Sequence, residues 1–172
     1  ATKGLAWKAK WNLPFYPDTW DGYPWARERF YDICRAAGAT DLIVLTGDSH
    51  SFWANRLSDG AGAPMGVELG TAGVTSPGDF LESGFDADLS AKLDKAFGDM
   101  IEDVLWTDNF HRGYVRVDLR RDAAQAEFVA MSTVESPRYK PRTLRRYAIA
   151  HSGMSVELRA DRSTIAGQKE KA

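Results

Sequence analysis

A continuous apolar run, Leu42-Ile43-Val44-Leu45, is closed off at Gly47 and followed at once by Asp48-Ser49-His50. Adjacent apolar residues with no polar alternation are the pattern of a strand covered on both faces, the usual state in a parallel sheet. This feature points to an α/β architecture in which the polar residues emerge at the carboxyl end of the strand. In open α/β sheets that end is where ligands bind.

The flanking segments agree. Residues 1–23 read as an irregular entry with a short strand near Ala6–Lys10. A helix is predicted from Pro24, which suits a first helical turn, with Phe30, Ile33, Cys34 and Ala37 forming one buried face and Gly38 the left-handed stop. After the apolar run, a second strand is expected at Met65–Thr71 and a loop over Gly73–Gly84. The clearest helical stripe covers Leu89–Leu105, through Leu93, Ala96, Phe97, Met100, Ile101 and Val104, with Asp88 as N-cap. Beyond Gly113 the period becomes two. Tyr114–Leu119 and Gln125–Thr133 read as a hairpin turning at Arg121-Asp122, and Leu144–Ala150 and Met154–Leu158 as edge strands. Residues 161–172 form a polar tail and 1–160 the folded part.

Composition narrows the function classes. The 172 residues suit one domain or a large piece of a bigger one, and 44% hydrophobic content supplies a core. A formal net charge of -2 gives no electrostatic footprint for nucleic acid or an anionic membrane. No apolar run approaches the roughly 18 residues a membrane span needs. The single cysteine, Cys34, can form neither an internal disulfide nor a cysteine-based zinc site. The chain starts at Ala1 without a signal-like segment, as a processed protein or an excised fragment would. Its early aromatic cluster (Trp7, Trp11, Phe15, Tyr16, Trp20, Tyr23, Trp25) reads as a packing surface.

Of the three histidines, His50, His111 and His151, only His50 has an acidic neighbour at a strand end. Asp48 and His50 can converge on one cation if the backbone leaves strand geometry there, and a carboxylate with an imidazole suits zinc, iron or manganese. On spacing alone a capped turn or a surface histidine is a commoner outcome than a ligand pair, by roughly two to one.

The wider context favours a site. Asp18-Thr19-Trp20-Asp21-Gly22-Tyr23, then Glu28-Arg29, then Leu42 to Trp53 with its Gly47-Asp48-Ser49-His50-Ser51-Phe52-Trp53 block, follow one another as in the second half of PhoD-like alkaline phosphatases. Gly66-Val67-Glu68-Leu69 and Thr75-Ser76-Pro77-Gly78 resemble that family's next strand and loop. Arg112-Gly113-Tyr114-Val115 with Ala124-Gln125-Ala126-Glu127-Phe128 resembles its late hairpin. The resemblance spans roughly residues 18 to 135. It implies the C-terminal half of a calcineurin-like metallophosphoesterase: an α/β fold with a β-sandwich flanked by helices, and a metal cluster of iron with calcium at the strand ends. It further implies hydrolysis of phosphate mono- or diesters, export from the cell, and Asp48 and His50 as metal ligands. Asp21 and Tyr23 are candidates for the substrate mouth, although Asp21-Gly22 is also a plain turn signal with Trp20 over the core.

Two departures stand against this pattern. The family's early metal motifs have no counterpart before Asp48, so an upstream N-terminal half is expected to supply the missing ligands, and the chain alone to be nearly inactive. The family's N-P-H segment is absent, its place taken by Ile101-Glu102-Asp103-Val104-Leu105. Two other readings use the same residues. In a GDSL-type esterase, Ser49 would be the nucleophile, His111 the base and Asp108 its orienter. In a non-catalytic interaction fragment, the aromatic entry segment would be an exposed interface for a partner or a second copy.

Overall fold

The computed structural model describes residues 18–161. The suggested strand at Ala6–Lys10 and nearly all of the polar tail lie outside them.

Two four-stranded sheets share one core. The first has the order β1-β3-β2-β4, from β1 (Leu42–Thr46), β2 (Phe52–Ser58), β3 (Pro64–Gly70) and β4 (Val104–Asp108). β1 runs parallel to β3, with Leu42 opposite Gly66 and Thr46 opposite Gly70, and the other pairs are antiparallel. The second sheet is an antiparallel meander of β5 (Gly113–Leu119), β6 (Ala124–Met131), β7 (Pro141–Ser152) and β8 (Ser155–Ala160). Phe52, Ala54, Val67 and Leu69 of the first sheet pack on Ala126, Phe128, Leu144 and Tyr147 of the second. The Phe128 ring sits edge-on to Phe52 and to Trp106, at 5.8 and 5.0 Å between centroids. Helices α1 (Pro24–Ala36), α2 (Asp79–Glu82) and α3 (Ala87–Met100) complete the fold, after a single 3₁₀ turn at Trp20–Gly22.

β1 occupies an edge among the described residues, yet both its faces meet apolar neighbours. Ile43 joins the inter-sheet core, while Leu42 and Val44 pack on Tyr31, Leu57 and Met65. Coverage stops short of the site end, where Leu45 is 62% exposed. The hairpin closes as read, with Arg120 N–H donating to Ala123 O at 2.8 Å.

Several expectations are corrected. α1 begins at Pro24, but its buried face carries Tyr31 and Arg27, with Cys34 half-buried, while Phe30 and Ile33 are exposed. Arg27 explains the rotation: its guanidinium reaches Asp21 at 3.0 Å, so a cation can face inward. α3 stops at Met100, and Ile101 onward turns into β4, so the apolar stripe merged two elements. Phe97, Ile101 and Val104 do form one cluster, which is why helical spacing ran straight through the boundary. Its N-cap is Asp86, whose side chain accepts from Leu89 N–H at 2.8 Å. β2, the centre of the first sheet, breaks the apolar pattern with Asn55 and Arg56. β7 is an interior strand between β6 and β8.

Candidate functional site

The turn after β1 carries a backbone that side chains rarely adopt. Asp48 has φ 69° and His50 φ 53°, and they are the non-glycine residues with positive φ among those described. Asp and His tolerate the left-handed region better than bulky residues, but each such residue still stores on the order of 1 kcal/mol. These dihedrals take the chain out of strand geometry just past the end of β1. Thr71 N–H donates to Thr46 O at 2.9 Å and holds the end of β1.

His50 is oriented from behind. Its Nδ1 lies 2.9 Å from Pro77 O. A carbonyl only accepts, so Nδ1 carries the proton, and in the neutral ring Nε2 presents a lone pair. This is the arrangement by which outer partners set the tautomer of a metal-ligating histidine. The 73–78 loop runs alongside this turn: a Cβ at Gly73 would stand 3.7 Å from His50 Cδ2, and one at Gly78 would stand 3.3 Å from the main-chain oxygen of His50.

A single carboxylate and a single imidazole fall short of the four to six donors a metal takes. Among the described residues no group of three or more His, Cys, Asp or Glu converges. The dyad therefore fits part of a coordination shell and not a whole one.

Next to Gly78 lies a polar layer that no motif or spacing announces. Asp94 on α3 accepts from Asn109 N–H at 3.1 Å and from Asn109 Nδ2 at 2.5 Å. Asn109 Nδ2 also reaches Thr107 Oγ1 at 3.3 Å. Burial, with the negative Asp108 adding to it, pushes the Asp94 carboxyl up to about 6 despite the bonds from Asn109. Burial would raise Asp108 too. There the bonds from the His111 ring and from the N–H groups of His111 and Phe110 prevail and hold it below the usual carboxylate range.

Asp94 thus carries more proton in the folded chain than in the unfolded one at mildly acid pH. Its favourable contribution is complete below about pH 4 and lost as pH rises through about 6. Asp94→Asn mimics the protonated carboxyl. The variant is expected to melt like the parent at pH 4, and several degrees higher at pH 8, for a gain on the order of 2 kcal/mol. Paired thermal melts at the two pH values check this, and equal melting temperatures at pH 8 would refute it.

The other candidates separate. Asp108 and His111 are brought together, with His111 Nδ1 2.9 Å from Asp108 Oδ2, and His111 Nε2 lies 3.0 Å from the Arg142 guanidinium. Ser49 Oγ instead accepts from Trp53 Nε1 at 3.0 Å. Both ring nitrogens of His111 are thereby engaged by groups other than Ser49. Asp21 pairs with Arg27 in a nearly buried bridge, while Tyr23, at the start of α1, is 57% exposed.

The fold has a counterpart. A solved chain described as "Structure of PhoD" matches with a TM-score of 0.62 at 22% identity, over 82% of this chain and 26% of that one. At that identity the match establishes the fold, which is the one this part of that chain adopts. The family model "PhoD-like phosphatase" matches residues 2–128. Alkaline phosphatase D of Bacillus subtilis (strain 168) is 31% identical over 139 residues, which are 75% of this chain and 22% of that enzyme. The chain belongs to the PhoD-like phosphatase family, and it spans about a fifth of the length of that curated relative.

Proposed function

We propose that the chain contributes the Asp48–His50 arm of a metal-assisted phosphoesterase that cleaves phosphate mono- or diesters. The observation that carries this reading is the paired left-handed turn at the end of β1, with the His50 Nδ1 proton already given to Pro77 O. A turn that stores strain and pre-sets a tautomer makes sense when Nε2 and a neighbouring carboxylate must meet a third atom. Membership in the family supports phosphoester hydrolysis as the chemistry.

Asp48 and His50 would hold one metal ion of an iron- and calcium-containing cluster. When bound, such a cluster supplies Lewis-acid stabilisation of the charge on phosphate oxygens. The chain's own residues do the positioning. Pro77 O orients the imidazole through its bond from Nδ1. The remaining ligands are proposed to come from polypeptide beyond these residues. The two-sheet core would then be one part of a metallophosphoesterase sandwich.

The test is turnover of bis(p-nitrophenyl) phosphate by a complete enzyme containing this segment. Losing an outer partner of a metal ligand typically costs about 10–100-fold. Losing the ligand should cost more, so His50→Ala and Asp48→Asn are each expected to lower turnover by at least about 100-fold with the fold intact. The 172-residue chain alone is expected to show only background turnover with iron and calcium added. Full activity of His50→Ala, or brisk metal-dependent turnover by the chain alone, would place the site elsewhere.

A further inference from the structure

The residue between the two left-handed positions is itself tied down. Ser49 N–H donates to Gly47 O at 2.8 Å, the bond of a γ-turn centred on Asp48, whose φ of 69° is that of the rare, strained form. The Ser49 hydroxyl accepts the indole N–H of Trp53 at 3.0 Å. An indole nitrogen only donates, which leaves the hydroxyl proton for Ser51 O, a longer contact at 3.5 Å.

The donor end of the Trp53–Ser49 bond is the rigid one. Trp53 lies on β2, opposite Gly70 of β3. A Cβ at Gly70 would stand 3.0 Å from Trp53 Cβ and 3.1 Å from its Cδ1, so the glycine leaves room for the indole. The ring meets the buried Phe97 of α3 edge-on, at 5.3 Å between centroids, and packs on the cluster that Phe97 forms with Ile101 and Val104. Ser49, in contrast, sits in an exposed turn. The core therefore orients the turn, and not the reverse.

Left-handed backbone at residues other than glycine persists only where the surroundings over-determine it. β1 ends at Thr46, and Asp48 and Ser49 are exposed, so packing supplies little. Among the described residues two side-chain bonds join the turn to residues beyond Ser51: His50 Nδ1 to Pro77 O, and Trp53 Nε1 to Ser49 Oγ. The first orients a ring. The second pins the residue whose two neighbours carry the left-handed backbone.

We propose that Trp53 is a positioning residue: through Ser49, its indole N–H holds Asp48 and His50 in their left-handed backbone before any metal binds. A ligand pair that is already ordered loses less conformational freedom on binding. This use of the brace rests on the phosphoesterase reading above, in which Asp48 and His50 are ligands. The brace itself does not.

The first measurement uses the isotope-labelled 172-residue chain without metal. Trp53→Phe keeps a ring against Phe97 and removes the N–H, and Ser49→Ala removes the acceptor at an exposed position. NMR order parameters at Asp48, Ser49 and His50 are expected to fall in each variant from about 0.85, the rigid range, to about 0.6 or below. The double variant should fall no further than either single one, because both remove the same bond. Order parameters along β2 and β3 should match the parent's, and if Trp53→Phe disturbs β2 as well, Ser49→Ala alone decides. Unchanged order parameters at the turn in Ser49→Ala overturn the inference, as does a double variant whose loss is the sum of the single ones. In a complete enzyme containing this segment, each variant should raise the metal concentration for half-maximal turnover by about 10-fold. An unchanged metal requirement alongside an inactive His50→Ala overturns the positioning role. If the turn loosens while His50→Ala keeps full turnover, the phosphoesterase reading falls and the brace stands. If the turn stays rigid while His50→Ala is inactive, the brace alone falls.

Discussion

Replacing Gly66 with alanine lowers the stability of the folded chain by about 4 kcal/mol, the middle of the sum of overpacking and backbone strain at roughly 1–3 kcal/mol each. Gly66 has φ +140°, and a Cβ there would stand 2.1 Å from Leu42 O and 2.7 Å from Leu42 N. Those are backbone atoms of the neighbouring strand, and no rotamer change can move them aside. Relief requires β1 to separate from β3, and the Asp48–His50 turn is carried by β1. With a urea slope of about 2 kcal/mol/M, the midpoint should fall by about 2 M. Amide exchange should show β1 opening first. The control is Gly98→Ala on α3, where a Cβ meets open space and helix propensity alone predicts a gain of up to about 1 kcal/mol. Equal midpoints for Gly66→Ala and the parent would mean that β1 and β3 do not pair at this register.

Phe128→Ala is the second large loss, expected at about 3–5 kcal/mol. Phe128 is fully buried on β6 and contacts rings from three other strands. Phe52 and Trp106 belong to the first sheet, and Tyr147, 6.0 Å away, to the second. Truncation removes the transfer energy of the ring and opens a void between two sheets whose backbones are held by their own ladders. Such a void cannot collapse without separating one sheet from the other. Phe128→Leu keeps much of the volume and should cost less than half as much. Urea unfolding of the three proteins gives the comparison. A loss below 1 kcal/mol for the alanine variant would show that the sheets are not joined through this ring.

How far the chain could be read before folding differs from element to element. The apolar run at Leu42–Leu45 was legible as a parallel strand because it meets apolar clusters on both sides. Tyr114–Leu119 was legible as a strand because its exposed residues alternate, whereas its partner Gln125–Thr133 pairs with it although Ala126 to Ala130 are all buried. β2 was not, because Asn55 is buried at 1% exposure, and a buried amide looks in sequence like a solvated one. The boundary between α3 and β4 was hidden because Phe97, Ile101 and Val104 join one cluster from two elements. The face of α1 was misread for a related reason: Arg27 turns inward only because Asp21 waits for it across a chain turn. The tertiary ion pair overrode the hydrophobic pattern.

The site divides along the same line. Residue types and their order along the chain already carry the acid–imidazole pair, its place at the end of an apolar strand, and the family. Folding alone gives Asp48 and His50 their left-handed backbone, sets the imidazole proton through Pro77 O, and closes Asp94 on Asn109 behind the loop. Packing likewise brings Val74 and Thr75 to the wall of a mostly apolar cavity. The physical reason is that a main-chain carbonyl looks alike in every residue. Its aim, like the burial that shifts a carboxyl, exists only once distant segments have packed together.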